Sequence, residues 1–180
     1  MLVTLFSDAS ICSQYKVGGW GAWLKSNRGS TRSGGPFQYS IYDTAIAEAM
    51  AVVNGMAAGI RTEIIQTGDE VLIQTDNNSV MGVLEGKASR KANEKSKRRR
   101  KMGWRALKKA VRAQNHDIAL VSNAFRQITE RHNLTIRWRH VKAHQGRKDR
   151  RSAVNSFCDE IAGEHMRTAR TMSIAPRPLL

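Results

Sequence analysis

The sequence predicts a mixed α/β domain, a five-stranded sheet with helices on both faces, and three observations carry that prediction. Two short apolar runs, Leu2–Asp8 and Glu70–Asp76, read as buried strands that each end in an acid. A third run, Leu134–Val141, alternates apolar and polar residues as a half-buried strand does. Between these runs lie segments with apolar residues at helical spacing, so the order is three strands, a helix, a strand, helices, a strand and a last helix.

Each element has its own local reason. Val17–Leu24 mixes glycines with Trp20 and Trp23, which suits a pleated surface with a close backbone neighbour. Asn27–Ser30 reads as a hairpin turn, and Thr31–Tyr39 as a returning strand that Pro36 marks as an edge. Asp43 or Thr44 can cap a helix carrying Ala45, Ala49, Val52, Val53 and Met56, with Gly59 as its stop. A short helix follows over about Ser79–Leu84. Asp117 is placed to cap another, with Ile118, Val121, Phe125 and Ile128 on one face, and Ala153, Phe157, Ile161 and His165 mark the last. We expect residues 1–168 to form one domain and residues 169–180, with Pro176 and Pro178, a flexible tail.

At 180 residues with a net charge of +15, the chain can bury a core and favours polyanionic partners, nucleic acid first. The charge is concentrated. Residues 87–112 hold 13 Lys or Arg against one acid, Glu94, which leaves only +3 elsewhere. Such a run is usually a solvated face. Met102, Trp104, Leu107 and Val111 are interleaved at near-helical spacing, which predicts an exposed basic helix with one apolar edge. No apolar stretch is long enough to span a bilayer, and the N-terminus lacks a signal-peptide pattern. Cys12 and Cys158 have neither disulfide-framework nor zinc spacing, and read as reduced thiols of a cytoplasmic protein.

The acids carry the chemistry. Asp8 and Asp76 end two strands, and sites in open α/β sheets lie off the carboxyl ends of strands. Glu48 lies early in the first helix and Asp159 in the last, one turn beyond Asn155. Singly, each acid is more often a turn or surface residue than a ligand. Together they could meet, and clustered carboxylates need cations to neutralise them. Oxygen donors point to Mg²⁺ or Mn²⁺, and a pair of such ions can clamp an in-line phosphoryl displacement.

The residues around these acids resemble the type 1 ribonuclease H family. Phe6-Ser-Asp8-Ala-Ser10 with Gly18-Gly19-Trp20-Gly21-Ala22 looks like its first strand, loop and second strand. Ala47-Glu48-Ala49 sits where its helical Glu sits, and Gln74-Thr75-Asp76-Asn77-Asn78 looks like its Thr-Asp-Ser motif. Val141-Lys-Ala-His144-Gln-Gly146 resembles its histidine loop, and Asn155-Ser-Phe-Cys158-Asp159-Glu-Ile-Ala162 resembles its last helix. The ordered set spans about residues 2–166.

That resemblance implies a ribonuclease H-like fold and a monomeric endonuclease that hydrolyses the RNA strand of RNA–DNA hybrids, leaving 5′-phosphate and 3′-hydroxyl ends. It implies Asp8, Glu48, Asp76 and Asp159 as ligands of two Mg²⁺ ions, with Mn²⁺ able to substitute. His144 would move protons or release product. Gln14, Asn78 and Asn155 would contact substrate, as would Lys101, Trp104 and Arg105 of a basic protrusion over about residues 87–112. The stretch before Glu48, Asp43-Thr-Ala-Ile-Ala47, lacks the paired Asn that many members use there. Two rival classes are another nuclease or resolvase of the same fold and a non-catalytic basic nucleic-acid-binding protein. Metal-dependent strand cleavage separates them.

Overall fold

The structure is a computed structural model that describes residues 1–88, 103–141 and 150–174. Five strands form one sheet: β1 (Leu2–Cys12), β2 (Val17–Ser26), β3 (Gly29–Pro36), β4 (Glu70–Thr75) and β5 (Thr135–His140). Their order is β3-β2-β1-β4-β5. The first three make an antiparallel meander, and β4 and β5 run parallel to β1. The described helices are α1 (Thr44–Arg61), α2 (Ser79–Leu84), α3 (Trp104–Arg131) and α4 (Arg150–Ile174). None of them is long and apolar enough to cross a membrane.

Side-chain alternation divides the core in two. Val3, Leu5, Val71 and Ile73 point to one face and pack with Ala49, Val52 and Met56 of α1 and Ile118, Val121 and Phe125 of α3. Phe6 points to the other face, where it meets Val141 and Cys158. Each fully buried Val, Leu or Ile side chain contributes about 1.5–3 kcal/mol, so the α1 face holds most of the apolar stabilisation.

α1 begins as expected: the Asp43 carboxylate accepts from the backbone N–H of Ala45 at 3.0 Å and Ile46 at 3.2 Å. It does not stop at Gly59. The helix runs two residues further, because Gly59 serves as a contact surface: a Cβ there would lie 2.6 Å from Leu24 and 2.8 Å from Ile65. β1 also differs. It continues past Asp8 to Cys12, because β2 keeps pairing with it after β4 has ended. β3 ends at Pro36, short of the expected Tyr39, since proline has no N–H to extend the ladder.

Two helix boundaries need correction. Asp117 caps nothing, because it lies inside the continuous helix α3. From Trp104 to Arg131 there is no Gly or Pro, and the inward residues Leu107, Gln114, Ile118, Val121 and Phe125 carry one stripe through that position. The last helix reaches Ile174, six residues into the stretch expected as tail, because the first helix breaker after Gly163 is Pro176. Residues 175–180 lie outside the described residues.

α4 lies very close to the sheet because β2 and β3 offer it glycines. A Cβ on Gly19 would sit 2.5 Å from the Ala162 carbonyl, and one on Gly21 would collide with the Cys158 carbonyl and lie 2.9 Å from Ile161 Cβ. We predict that Gly21→Ala lowers stability by about 1–3 kcal/mol, the usual range for overpacking against backbone. Chemical denaturation measures it, and an unchanged midpoint would show that α4 can slide away.

Candidate active site

β1 and β4 pair in parallel as far as Phe6 and Gln74. Two residues on, in the same register, come Asp8 and Asp76. At this point β1 turns back through β2 on one side, and β4 leads on to α2 on the other, so a cleft opens between the two connections. The two helix layers flank the same sheet end. α1 brings Glu48 from one face, and α4 brings Asn155 and Asp159 from the other.

Oxygens of Asp8, Glu48 and Asp76 lie within 4.8 Å of one another. Asp159 is exposed and outside this cluster of three, though its charge acts on Asp8. Sequence reasoning thus brought all four acids to one region, and the structure divides them into a tight trio and a rim acid. Asn155 is buried and donates from Nδ2 to Asp76 Oδ2 at 3.3 Å.

Two supporting residues went unassigned in the sequence. Asn77 Nδ2 donates to Glu48 Oε1 at 3.1 Å, and the Thr75 side chain also hydrogen-bonds Glu48. Asn77 is itself fixed: its N–H donates to Thr75 Oγ1 at 3.1 Å, and its Oδ1 accepts from the Ser79 N–H at 2.9 Å. That Asx-type turn was the available signal, in the Asn77-Asn78 doublet. The second residue is His140, at the end of β5, whose Nε2 lies 3.0 Å from the Asp76 carbonyl oxygen.

The remaining candidates are less tied to the trio. Gln14 is exposed in the β1–β2 turn, with Nε2 3.5 Å from the Tyr15 hydroxyl. Asn78 is exposed at the start of α2 and makes no capping bond. Trp104 and Arg105 open α3 and are exposed, with Lys108 Nζ 5.5 Å from the Trp104 ring centroid, while Leu107 is buried. Lys101 and His144 lie outside the described residues, as does most of the basic segment.

Electrostatics mark the trio as unfinished without a cation. Burial, and then the charge of Asp76, push Asp8 up to about 8, against the 2.7 Å hydrogen bond from the Ala9 N–H. Burial also pushes Glu48 up to about 7, partly offset by Asn77. Glu48 Oε2 is buried and has no hydrogen-bond partner among the described residues. An orphaned carboxylate oxygen beside two further carboxylates, with only hard oxygen donors, fits a divalent ion of the Mg²⁺ or Mn²⁺ kind. Cys158 next door is buried and pushed up to about 12, so its thiol is inert at neutral pH.

An antiparallel meander joined to two parallel strands, with carboxylates at the switch point, defines the ribonuclease H-like class of folds. Residues 2–167 match the RNase H family, and the chain belongs to it. No curated protein matches it in sequence. Among solved structures it is similar to the N-terminal RNase H domain of Rv2228c from Mycobacterium tuberculosis, solved as a fusion with maltose-binding protein. That pair shares 14% identity at a TM-score of 0.61, over 96% of this chain and 98% of that one. RNase H1 from the halophilic archaeon Halobacterium salinarum shares 15% identity at a TM-score of 0.56, over 93% and 99%. LC11-RNase H1, solved in complex with an RNA/DNA hybrid, shares 12% identity at 0.58, over 93% and 99%.

The raised carboxyls set a pH dependence. A carboxylic acid whose folded pKa is raised binds more protons folded than unfolded, so stability falls as pH rises from its unfolded value, about 4, to its folded value. For Asp8 that window closes near 8. Asp8→Asn removes this slope. In metal-free buffer the variant should gain about 2 kcal/mol over the parent between pH 5 and 8.5. Thermal melts at the two pH values test this, and parallel pH profiles for the two proteins would contradict the buried-charge assignment.

Proposed function

We propose that the chain is an endoribonuclease that hydrolyses the RNA strand of RNA–DNA hybrids with divalent metal, Mg²⁺ in the first place. The observation that carries this reading is the Asp8–Glu48–Asp76 cluster at the switch point of a ribonuclease H family chain. The net charge of +15 and the solved hybrid complex of LC11-RNase H1 support the substrate class.

Asp8, Glu48 and Asp76 would hold the metal, with Asp159 completing the set from the rim. Two such ions stabilise the charge that builds on the attacking and leaving oxygens of an in-line phosphoryl displacement. The protein's own contribution is positioning. Asn77 and Thr75 keep Glu48 turned into the cluster, Asn155 holds one oxygen of Asp76, and His140 holds the Asp76 backbone. Water attacks phosphorus, the bond to the 3′-oxygen breaks, and the products carry 5′-phosphate and 3′-hydroxyl ends. His144 is the group we assign to proton movement or product release.

Substrate grip falls to Gln14, Asn78 and Asn155 near the cluster and to Lys101, Trp104 and Arg105 in the basic segment. Contacts from the basic segment hold phosphate and carry no sequence information. The 2′-hydroxyl is what distinguishes the RNA strand.

Asp76→Asn should reduce cleavage of a strand-labelled hybrid at least about 10³-fold, in line with losing a group that acts as part of a unit. Hybrid binding should change little. The assay runs beside single-stranded RNA, duplex DNA and a four-way junction, with and without Mg²⁺. Normal turnover by the variant, or preferred cutting of the junction, would overturn the proposal.

A further inference from the structure

The strongest feature outside the acid cluster is a cavity of about 530 Å³ between α1, α3 and the segment that leads into α1. This volume lies in the range of small-ligand sites. Its floor is apolar, with Ile46 and Met50 from α1 and Leu120 and Val121 from α3. Tyr39 and Tyr42 stand in its wall although they are 74% and 57% exposed, so two phenol rings are left largely open to solvent beside an apolar hollow.

One polar group in the wall is out of place. Gln114 is 6% exposed, and its Oε1 accepts no hydrogen bond among the described residues. A buried amide oxygen without a donor costs about 1–3 kcal/mol, and a stripe position between Leu107 and Ile118 would ordinarily hold a Leu. Since α3 is otherwise apolar along this stripe, the carboxamide is better explained by a ligand than by the core.

Charge narrows the ligand. The chain has twice as many Lys and Arg as Asp and Glu, yet no Lys or Arg lines the cavity, while Asp43 and Asp117 do. A phosphate would therefore be repelled from its interior. A flat, uncharged ring that offers a donor and an acceptor side by side meets both the phenol rings and the carboxamide. Among nucleobases, the N6–H and N7 edge of adenine is the one that a Gln side chain pairs with in bidentate fashion. Guanine presents two acceptors on that edge and would leave the Gln114 oxygen unpaired.

We propose that this cavity is a binding site for an adenine base, held edge-on by the Gln114 carboxamide and flanked by Tyr39 and Tyr42, with any phosphate kept outside. Aromatic rings supply stacking to such a base at little cost in specificity, and the carboxamide supplies the choice. Lys16, whose Nζ lies 5.4 Å from the Tyr42 ring centroid, offers a cation beside the cavity for a phosphate that remains in solvent. The base can come from a free nucleoside or from an unpaired residue of a bound strand.

The test titrates the full chain with adenosine, guanosine and ATP, following amide resonances of residues 39–43 and 114–124. Adenosine should give saturable shifts, with guanosine at least about tenfold weaker and ATP weaker than adenosine. Gln114→Leu should weaken adenosine at least about tenfold while the melting temperature stays the same or rises, because a partnerless amide has been removed. Absence of saturable shifts, equal affinity for guanosine, or a melting temperature lowered by several degrees in Gln114→Leu would each overturn the site.

The source is resolved by hybrids with one unpaired dA or dT on the DNA strand. Tighter binding of the dA form, lost in Gln114→Leu, assigns the strand base. Equal binding of the two, with adenosine still bound, assigns the free nucleoside. Only this last comparison rests on the hybrid reading, so a failure of that reading leaves the adenosine result standing.

Discussion

The parallel pairing of β1 with β4 is the constraint on which the rest depends. These strands come from distant parts of the chain, and their register brings Phe6 opposite Gln74, so Asp8 and Asp76 emerge at one sheet end two residues later. A slip by one residue would send one of the two carboxylates to the opposite face. The apolar faces prevent that slip. Val3 and Leu5 align with Val71 and Ile73 under α1, and exchanging the faces would expose them. Hydrophobic burial thus fixes the separation of two charges that would otherwise repel.

Holding those charges together costs free energy, and the surrounding polar groups show where it is offset. Asn77 and Thr75 hydrogen-bond Glu48, Asn155 holds Asp76, and the Ala9 N–H supports Asp8. These contacts are too few to offset desolvation, since Asp8 and Glu48 both remain well above the ordinary carboxylate range. A divalent cation is the missing partner that such a set accepts. The glycines of β2 have a matching role on the α4 face, because only a bare backbone at Gly19 and Gly21 lets the helix that carries Asn155 and Asp159 approach this closely.

Much of this was legible in the sequence, for reasons that differ by element. Strands with strict alternation and a strong helix cap were readable because they are local: β4, α2 and the Asp43 cap all appear where the pattern placed them. Boundaries set by tertiary partners were not. β1 continues past Asp8 because of β2, Gly59 serves packing rather than termination, and α3 runs through Asp117 because no breaker interrupts its stripe. At the site, the trio followed from strand ends and motif spacing. The roles of Asn77 and His140 did not, because each depends on a contact with a residue remote in sequence. The position of Asp159 at the rim was equally hidden, since spacing along a helix gives its turn but not its distance to a sheet end.

The central claim is that the carboxylate cluster keeps protons at neutral pH until a cation displaces them. Calorimetric titration of Mn²⁺ into the metal-free protein, repeated in buffers of different ionisation enthalpy, counts those protons directly. The account predicts release of about one proton or more per chain near pH 6.5, falling towards zero near pH 9.5, where Asp8 and Glu48 are already ionised. Metal binding with no proton release near pH 6.5 would contradict it.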